Sequence, residues 1–293
     1  MTRVDQFESV FKAAAKTLYR REPVPIRSVL LLTDLDPEPA GAFADRVRSF
    51  LDLGNGETAW KVVPGGDFGT VARMLEIVRD AAPDLIGTYR SLHSGAWRWT
   101  TTLGRYVDVL AQETAAPILV LPNPHAERDA PQSFPHGRPT WGEAGTRTVM
   151  AITDHLAGDH RLVSLAVRFT RAGGRLILAH VEDGTVFDRY LEVISKIPAI
   201  DTEEAREAVR RQLLKEPRDH IRSCAGALRQ HDPELEVVEA VIVGHRLSEY
   251  RRLVQEHAID LLVLNTKDED QLAMHGRAYP LVVELRHVPI LML

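Results

Sequence analysis

The chain repeats one order of apolar runs twice, and this repetition constrains the fold more than any other feature of the sequence. An apolar run that ends in Thr-Asp occurs as SVLLLTD at 28–34 and as TVMAITD at 148–154. Two further runs recur in the same order, as DLIGTY and DLLVLNT and then as APILVLP and VPILML. Because these runs lack strict alternation, they are typical of parallel strands that are covered on both faces. The repetition predicts two copies of one α/β plan.

The two copies differ in length at one place. Fifty residues separate Asp34 from Asp84, whereas 106 separate Asp154 from Asp260. The additional residues include a strand-like run, GGRLILAHV, and a helical run that begins after Asp201. We therefore predict two doubly wound parallel-sheet, Rossmann-like domains in tandem, the first of which lacks one β-α unit.

The predicted organisation has four parts. They are an N-terminal amphipathic helix at 1–25, a shortened domain at 26–124, a Pro- and Gly-rich linker at 125–145, and a complete domain at 146–293. Apolar side chains of the N-terminal helix recur at helical spacing on one face. These are Val4, Phe7, Phe11, Ala14 and Leu18. We expect this face to pack on the body of the protein or on a partner chain.

Composition excludes several classes of protein. A net charge of −5 gives no reason to expect a nucleic-acid partner, which requires clustered Lys and Arg. No apolar run approaches the ~18 to 20 residues that span a bilayer, and Asp5 and Glu8 stand where a signal peptide would be apolar. We therefore expect a cytoplasmic protein without membrane insertion. The single cysteine, Cys224, excludes an intramolecular disulfide and a zinc site built on cysteines.

In their order and spacing, these landmarks resemble a tandem universal stress protein. The matching residues are the first strands that end in Asp34 and Asp154, the penultimate strands DLI and DLLVL, and the closing pieces DVLAQETAAPILVLP and VVELRHVPILML. The resemblance covers nearly all of residues 26–293. It implies that domains pair through their closing strands, which this chain could do internally. A homodimer and an unknown protein partner are further options, and catalysis is not implied.

Nucleotide-binding members of this family carry Gly-x2-Gly-x9-Gly-Ser/Thr after the penultimate strand, where glycines let the backbone approach phosphates at a helix N-terminus. The second copy has Asn265 and Asp268 at the first two glycine positions and Ala278-Tyr279 at the third. Three consecutive carboxylates, at 268–270, would repel a polyphosphate. We predict that this copy does not bind ATP in the family mode. Cation binding by these acids with His275 is the disfavoured alternative, because three consecutive residues cannot all face one ion.

The first copy retains more of the family loop, so we assign ATP or AMP to it as an alternative. The candidate nucleotide-binding residues are Asp34, Gly87, Ser94, Gly95, Gly104 and Arg105. Arg105 stands where Ser or Thr is expected, and it could pair with a phosphate. We favour a solvated arginine in the first turn of a helix, because a lone glycine pattern is weak evidence. Asp34 could equally cap the helix that follows it.

Two tryptophans lie in the loop of the first copy, and a third lies in the linker. Trp97 and Trp99 are either buried against the rest of the protein or form an aromatic wall for a base or a protein partner. We favour burial. Trp141, within the linker, is predicted to dock on one of the domains.

The sequence contains neither a nucleophile elbow nor an HExxH motif. Asp34, His93 and Ser94 are the convergent polar residues that an enzyme could use, and we assign no catalytic and no metal-binding residues. The leading hypothesis is a non-enzymatic stress-response regulator or interaction module for which no cofactor is expected. A first copy that senses ATP or AMP is the alternative, and a nucleotide hydrolase is the weakest option.

Overall fold

The computed structural model describes most of the chain. The described residues are 19–54, 58–98 (backbone alone at 97–98), 102–125, 141, 145–153, 160–197, 201–267, 274, 276 and 278–293. Within this part, no helix is both long enough and apolar enough to cross a membrane.

Nine strands form one continuous sheet in the order β2-β1-β3-β4-β9-β8-β5-β6-β7. They are β1 Ser28–Leu32, β2 Ala59–Val63, β3 Leu85–Tyr89, β4 Ile118–Leu121, β5 Thr148–Ile152, β6 Arg175–Asp183, β7 Glu236–Gly244, β8 Leu261–Leu264 and β9 Ile290–Met292. Every neighbouring pair is parallel except β4 and β9. The carboxyl edges of the two halves therefore point in opposite directions.

Eight helices of the described chain cover this sheet. They are α1 Pro37–Leu51, α2 Val71–Ala81, α3 Arg105–Glu113, α4 His160–Phe169, α5 Gly184–Ser195, α6 Thr202–His231, α7 Arg246–Glu256 and α8 Ala278–Glu284. Right-handed crossovers place α1, α4 and α6 on one face and α2, α3, α7 and α8 on the other. Asp201 caps α6 by accepting hydrogen bonds from the backbone N–H groups of Glu203 (2.9 Å) and Glu204 (3.0 Å).

Strand order confirms the predicted fold class. The second half has the order β7-β6-β5-β8-β9, and the first half has β2-β1-β3-β4, which is one strand fewer. Equivalent aspartates open the penultimate strands of both halves. Asp84 Oδ2 accepts from the backbone N–H of Ser28 at 3.0 Å, and Asp260 Oδ2 accepts from that of Thr148 at 2.8 Å. Each carboxylate thereby ties its strand to the first strand of the same half.

The closing strands join the halves into one sheet. Ile118, Leu119 and Val120 of β4 pair in antiparallel register with Met292, Leu291 and Ile290 of β9. All six side chains are buried in the main hydrophobic core. One core therefore extends through both halves.

Two connecting segments lie across the face that carries α1 and α4. Trp141 is buried on α1, with its ring 5.7 Å from that of Phe43 and the Arg46 guanidinium 3.8 Å above it. The linker tryptophan thus docks on the first half, as the sequence predicts. On α4, Ser164 Oγ lies 3.1 Å from the Tyr19 hydroxyl and accepts from the backbone N–H of Glu22 at 3.1 Å.

The N-terminal helix predicted at 1–25 does not include residues 19–25, which lie outside any helix or strand. Pro23 and Pro25 lack the backbone N–H that a helix interior uses. The five apolar residues of the predicted helix face, from Val4 to Leu18, lie outside the described residues.

Candidate functional site

Asp34 follows β1 at the carboxyl edge of the first half, and its carboxylate is surrounded by donors from the same chain. Oδ2 accepts from the backbone N–H of His93 at 2.8 Å, and Oδ1 accepts from the Tyr89 hydroxyl. His125 Nε2 lies 3.3 Å from the same Oδ1. Only 10% of the Asp34 side chain is exposed. Contacts within the chain itself therefore hold both oxygens of this carboxylate.

Tyr89 ends β3 and completes this cluster. Its hydroxyl accepts from the backbone N–H of Asp34 at 3.0 Å and lies 2.8 Å from Thr33 Oγ1. Burial, and then the hydrogen bond to Asp34, raise the pKa of the Tyr89 phenol well above its usual range. The phenol therefore stays protonated at neutral pH and donates to Asp34.

Gly87 lies within β3, between β1 and β4, rather than in the loop that follows. A Cβ at this position would come 2.8 Å from Leu31 Cδ1. Close packing of two strands therefore accounts for this glycine.

The loop after β3 folds back on itself. The backbone N–H of Ser91 donates to Leu103 O at 2.8 Å, and Ser91 and His93 both have positive φ, 59° and 55°. Ser94 Oγ accepts from the backbone N–H of Ala96 at 3.1 Å, and Gly95 opens a short 3-10 turn with open space around its Cα. The structure thus brings His93 to Asp34 through its backbone, while Ser94 and Gly95 are used in a local turn.

The ring of His93, a candidate for an enzymatic role, packs among aromatic side chains. Its centroid lies 4.9 Å from that of Phe68 and 5.1 Å from that of Tyr106. Tyr106 in turn donates from its hydroxyl to Gly69 O at 2.9 Å. These contacts fix the loop after β3 against the loop after β2.

The N-terminus of α3 carries a carboxylate of its own. Gly104 is the N-cap residue, and Arg105 begins the helix with an exposed side chain. Thr102 Oγ1 accepts from the Gly104 N–H at 3.1 Å and donates to Asp108 Oδ2 at 3.1 Å. Burial raises the pKa of the Asp108 carboxyl. An acidic side chain therefore lies in the first turn of α3.

In the second half, only part of the equivalent loop is described. After β8, both the backbone N–H and the hydroxyl of Thr266 donate to Leu293 O at 2.9 Å. Ala278 and Tyr279 open α8. The acidic residues at 268–270 and His275 lie outside the described residues, as do Asp154 and Trp99.

Two basic side chains connect the halves through helix C-termini. Arg90, directly after β3, donates to Val282 O and Val283 O at the end of α8. Lys267, after β8, donates to Thr114 O at the end of α3, at 2.8 Å. Each half therefore provides a cation for the negative end of a helix from the other half.

Two basic side chains lie near α8, of which Arg90 is buried and His287 is half-buried. Burial lowers the pKa of Arg90 to about 9. Burial also lowers the pKa of His287 to about 4, and the charges of Arg286 and Arg90 act in the same direction. Protonation of His287 would add another positive charge to this junction.

We expect His287 to make stability dependent on pH. Its folded pKa lies below the ordinary value of 6.5, so its contribution is present above about pH 6.5 and is lost as the pH falls towards 4. His287→Gln should reduce the loss of unfolding free energy between pH 6.5 and 4.5, measured by urea unfolding at both values. The control is His231→Gln at an exposed helix end. An unchanged pH dependence in His287→Gln would contradict this assignment.

Sequence reasoning missed Tyr89, His125 and Asp108. The signal for Tyr89 was present, because β1 and β3 are neighbours and their carboxyl ends lie side by side. His125 follows the next strand, β4, at the same edge. Asp108 lies one helical turn after Gly104.

Comparisons with known proteins support the fold. No protein-family model matches the sequence, and no curated protein matches it. A candidate universal stress protein of Pseudomonas aeruginosa UCBPP-PA14 is 12% identical with a TM-score of 0.51, over 92% of this chain and 93% of that chain.

Two other universal stress proteins have lower scores. That of Archaeoglobus fulgidus DSM 4304 is 10% identical with a TM-score of 0.48, over 91% of this chain and 97% of that chain. UspA from Lactobacillus plantarum is 14% identical with a TM-score of 0.35, over 52% of this chain and 99% of that chain. The strand order of both halves and the Pseudomonas structure lead to one conclusion: this chain has the fold of universal stress proteins, repeated in tandem within a single sheet.

Proposed function

We propose that this chain is a non-enzymatic stress-response regulator or interaction module that does not bind nucleotide in the family mode. The observation that carries the proposal is that the Asp34 carboxylate is already held by three contacts within the chain. Its two carboxylate oxygens are in contact with Tyr89, His93 and His125. An ionised carboxylate has about four acceptor positions, and these contacts use three of them. A nucleoside that needed more than one position would have to displace a present donor, and a buried donor left without a partner costs about 1 to 3 kcal/mol.

The N-terminus of α3 supports the proposal independently. Two unit charges 4 Å apart near a protein surface interact by about 4 kcal/mol before salt screening. A phosphate held against the first turn of α3 would meet the Asp108 carboxylate at short range. Arg105 is exposed and could offset part of that repulsion.

The second half lacks the glycines of the family loop. Asn265 and Ala278 stand at the first and third glycine positions, and Ala278 belongs to a helix. Lys267, a basic residue of this loop, donates to Thr114 O at the end of α3. These features support a loop that joins the halves.

The closing strands also bear on the choice of partners. Within the sheet, β4 lies between β3 and β9, and β9 lies between β4 and β8. A homodimer that pairs through closing strands would have to break these ladders. We therefore infer that an external partner binds another surface.

Calorimetry and thermal unfolding of the full chain with ATP and AMP, with and without Mg²⁺, test the proposal. We expect no saturable heat and no shift in Tm at millimolar nucleotide. A ligand present at 100 times its Kd would stabilise the folded state by about 2.7 kcal/mol, which a Tm shift would reveal.

If nucleotide binding were observed, it would contradict the proposal, and two variants would show which half binds the nucleotide. If the chain bound ATP or AMP with micromolar affinity, and if Asp34→Asn and Arg105→Ala abolished that binding, nucleotide sensing by the first half would be established. Affinity that neither variant changed would indicate the second half. Phosphate release above the buffer rate with ATP and Mg²⁺ would instead show a hydrolase.

A further inference from the structure

Helix α5 exposes a stripe of large apolar side chains. Val186 (41% exposed), Tyr190 (51%), Val193 (58%) and Ile197 (43%) are the exposed large hydrophobic side chains of the described part of the chain. The spacings of 4 and 3 residues place the first three on one side of the helix, and Ile197 follows two residues after the helix ends at Ser195. Isolated exposed apolar residues are ordinary, but a continuous stripe indicates a contact surface.

The helix that carries this stripe belongs to an incompletely packed arm. Phe187 and Leu191 of α5 and Leu214 of α6 are buried. All three stand apart from the main core, which extends through both halves. The C-terminal part of α6 packs on the main core through Ile221 and Cys224, so α5 is the helix with few buried side chains. A further element that covered its exposed side would stabilise it, because most helix stability comes from tertiary packing.

The described chain begins at the base of this arm. The Tyr19 hydroxyl lies 3.1 Å from Ser164 Oγ, and its ring centroid lies 5.7 Å from that of His160, which opens α4. Burial raises the pKa of Tyr19, and the thiol of Cys224 on α6 acts in the same direction. Tyr19 is therefore held beside α4 and α6, and α6 is the helix that α5 contacts.

The 18 residues that precede Tyr19 match the stripe in length and pattern. As a helix they would extend about 27 Å, against about 18 Å for the 12 residues of α5. Read backwards from Tyr19, their apolar positions are spaced by 4, 3 and 4 residues, as are those of the stripe read forwards. These positions are Leu18, Ala14, Phe11 and Phe7.

We propose that residues 1–18 form a helix that packs antiparallel along α5 of the same chain and completes a three-helix arm. In this register Leu18 faces Val186 and Phe11 faces Val193. The smallest residue of the N-terminal stripe, Ala14, faces the largest of the α5 stripe, Tyr190. A small residue opposite a large one is the arrangement that fills space between helices.

Disulfide trapping in the full chain tests the register. We expect Ala14→Cys with Tyr190→Cys to form an intramolecular disulfide under mild oxidation at least ten times faster than Ala13→Cys with Tyr190→Cys. The control cysteine points about 100° away around the helix. Native Cys224 is fully buried and stays in both variants. Equal rates for the two pairs would overturn the proposal, and so would disulfide-linked dimers as the main product, which would assign the stripe to a second copy.

Limited proteolysis provides a second measurement that keeps Ala14 and the other N-terminal residues intact. Tyr190→Glu with Val193→Glu should increase the rate of tryptic cleavage at Lys12 and Lys16 by at least tenfold. The control changes the polar side of α5, with Asp188→Asn and Glu192→Gln. Circular dichroism would establish that each variant is folded. An unchanged cleavage rate in the folded Tyr190/Val193 variant would overturn the proposal.

Discussion

Replacing Leu291 with alanine is expected to lower the free energy of unfolding by about 3 kcal/mol, within the 2 to 5 kcal/mol of buried leucine truncations. Leu291 is fully buried at the centre of β9. It is paired with Leu119 of the first half on one side and with Val263 of the second half on the other. Truncation opens a cavity at the strand pair that joins the halves.

The same substitution tests whether the halves unfold together. All four tryptophans belong to the first half or its linker, so their fluorescence reports on that region, whereas far-UV circular dichroism reports on both halves. Because Leu291 lies in the second half, a shared core predicts that both signals move to lower urea concentration by the same amount. A dichroism shift without a fluorescence shift would show that the halves unfold separately.

Leu293→Ala is the matched control for this experiment. Leu293 is two residues further along the chain and is only partly buried. Its carbonyl accepts from Thr266 whichever side chain it carries. We therefore expect a loss below about 1 kcal/mol, and a loss equal to that of Leu291→Ala would contradict the importance of the β4–β9 pair.

The repeated runs predicted the strands because both halves encode them in the same way. SVLLL and TVMAI became β1 and β5, and DLI and DLLVL became the penultimate strands β3 and β8. Their continuous apolar character follows from burial on both faces. The missing unit of the first half was visible in the spacing between equivalent aspartates, so the fold class was predictable from the sequence.

The contacts of the candidate site were not predictable, because they depend on which strand ends lie side by side. Asp34 and Tyr89 are 55 residues apart, and only the pairing of β1 with β3 brings them together. Gly87 illustrates the opposite problem. A glycine at the end of an apolar run resembles part of a phosphate loop, but the register places it opposite Leu31 inside the sheet.

Helix α5 was also not predicted. Its sequence, GTVFDRYLEVIS, has apolar residues on two adjoining faces, one of which is buried against α6 and one of which is exposed. Periodicity alone cannot separate a buried stripe from an exposed one. The contacts of Arg90 and Lys267 with helix C-termini of the other half were not predictable either. A basic residue can be assigned to a helix C-terminus only when the position of that helix is known.

Gly104→Ala is expected to lower the free energy of unfolding by about 2 to 4 kcal/mol. Gly104 has φ of +90° and ψ of 148°, a backbone conformation essentially restricted to glycine that costs a residue with a Cβ about 1 to 3 kcal/mol. The added Cβ would also come 2.8 Å from Ser91 Cα and 2.9 Å from Ser91 N. Since backbone atoms cannot move aside as the end of a flexible side chain can, the loop between Ser91 and Gly104 must shift.

Gly95→Ala controls for the general effect of replacing a glycine in this loop. A Cβ at Gly95 would meet no atom within 4 Å, so we expect a change of less than about 0.5 kcal/mol, typical of surface substitutions. Urea unfolding of both variants measures the difference. If Gly104→Ala were as stable as Gly95→Ala, Gly104 would not be required by the packing of α3 on Ser91.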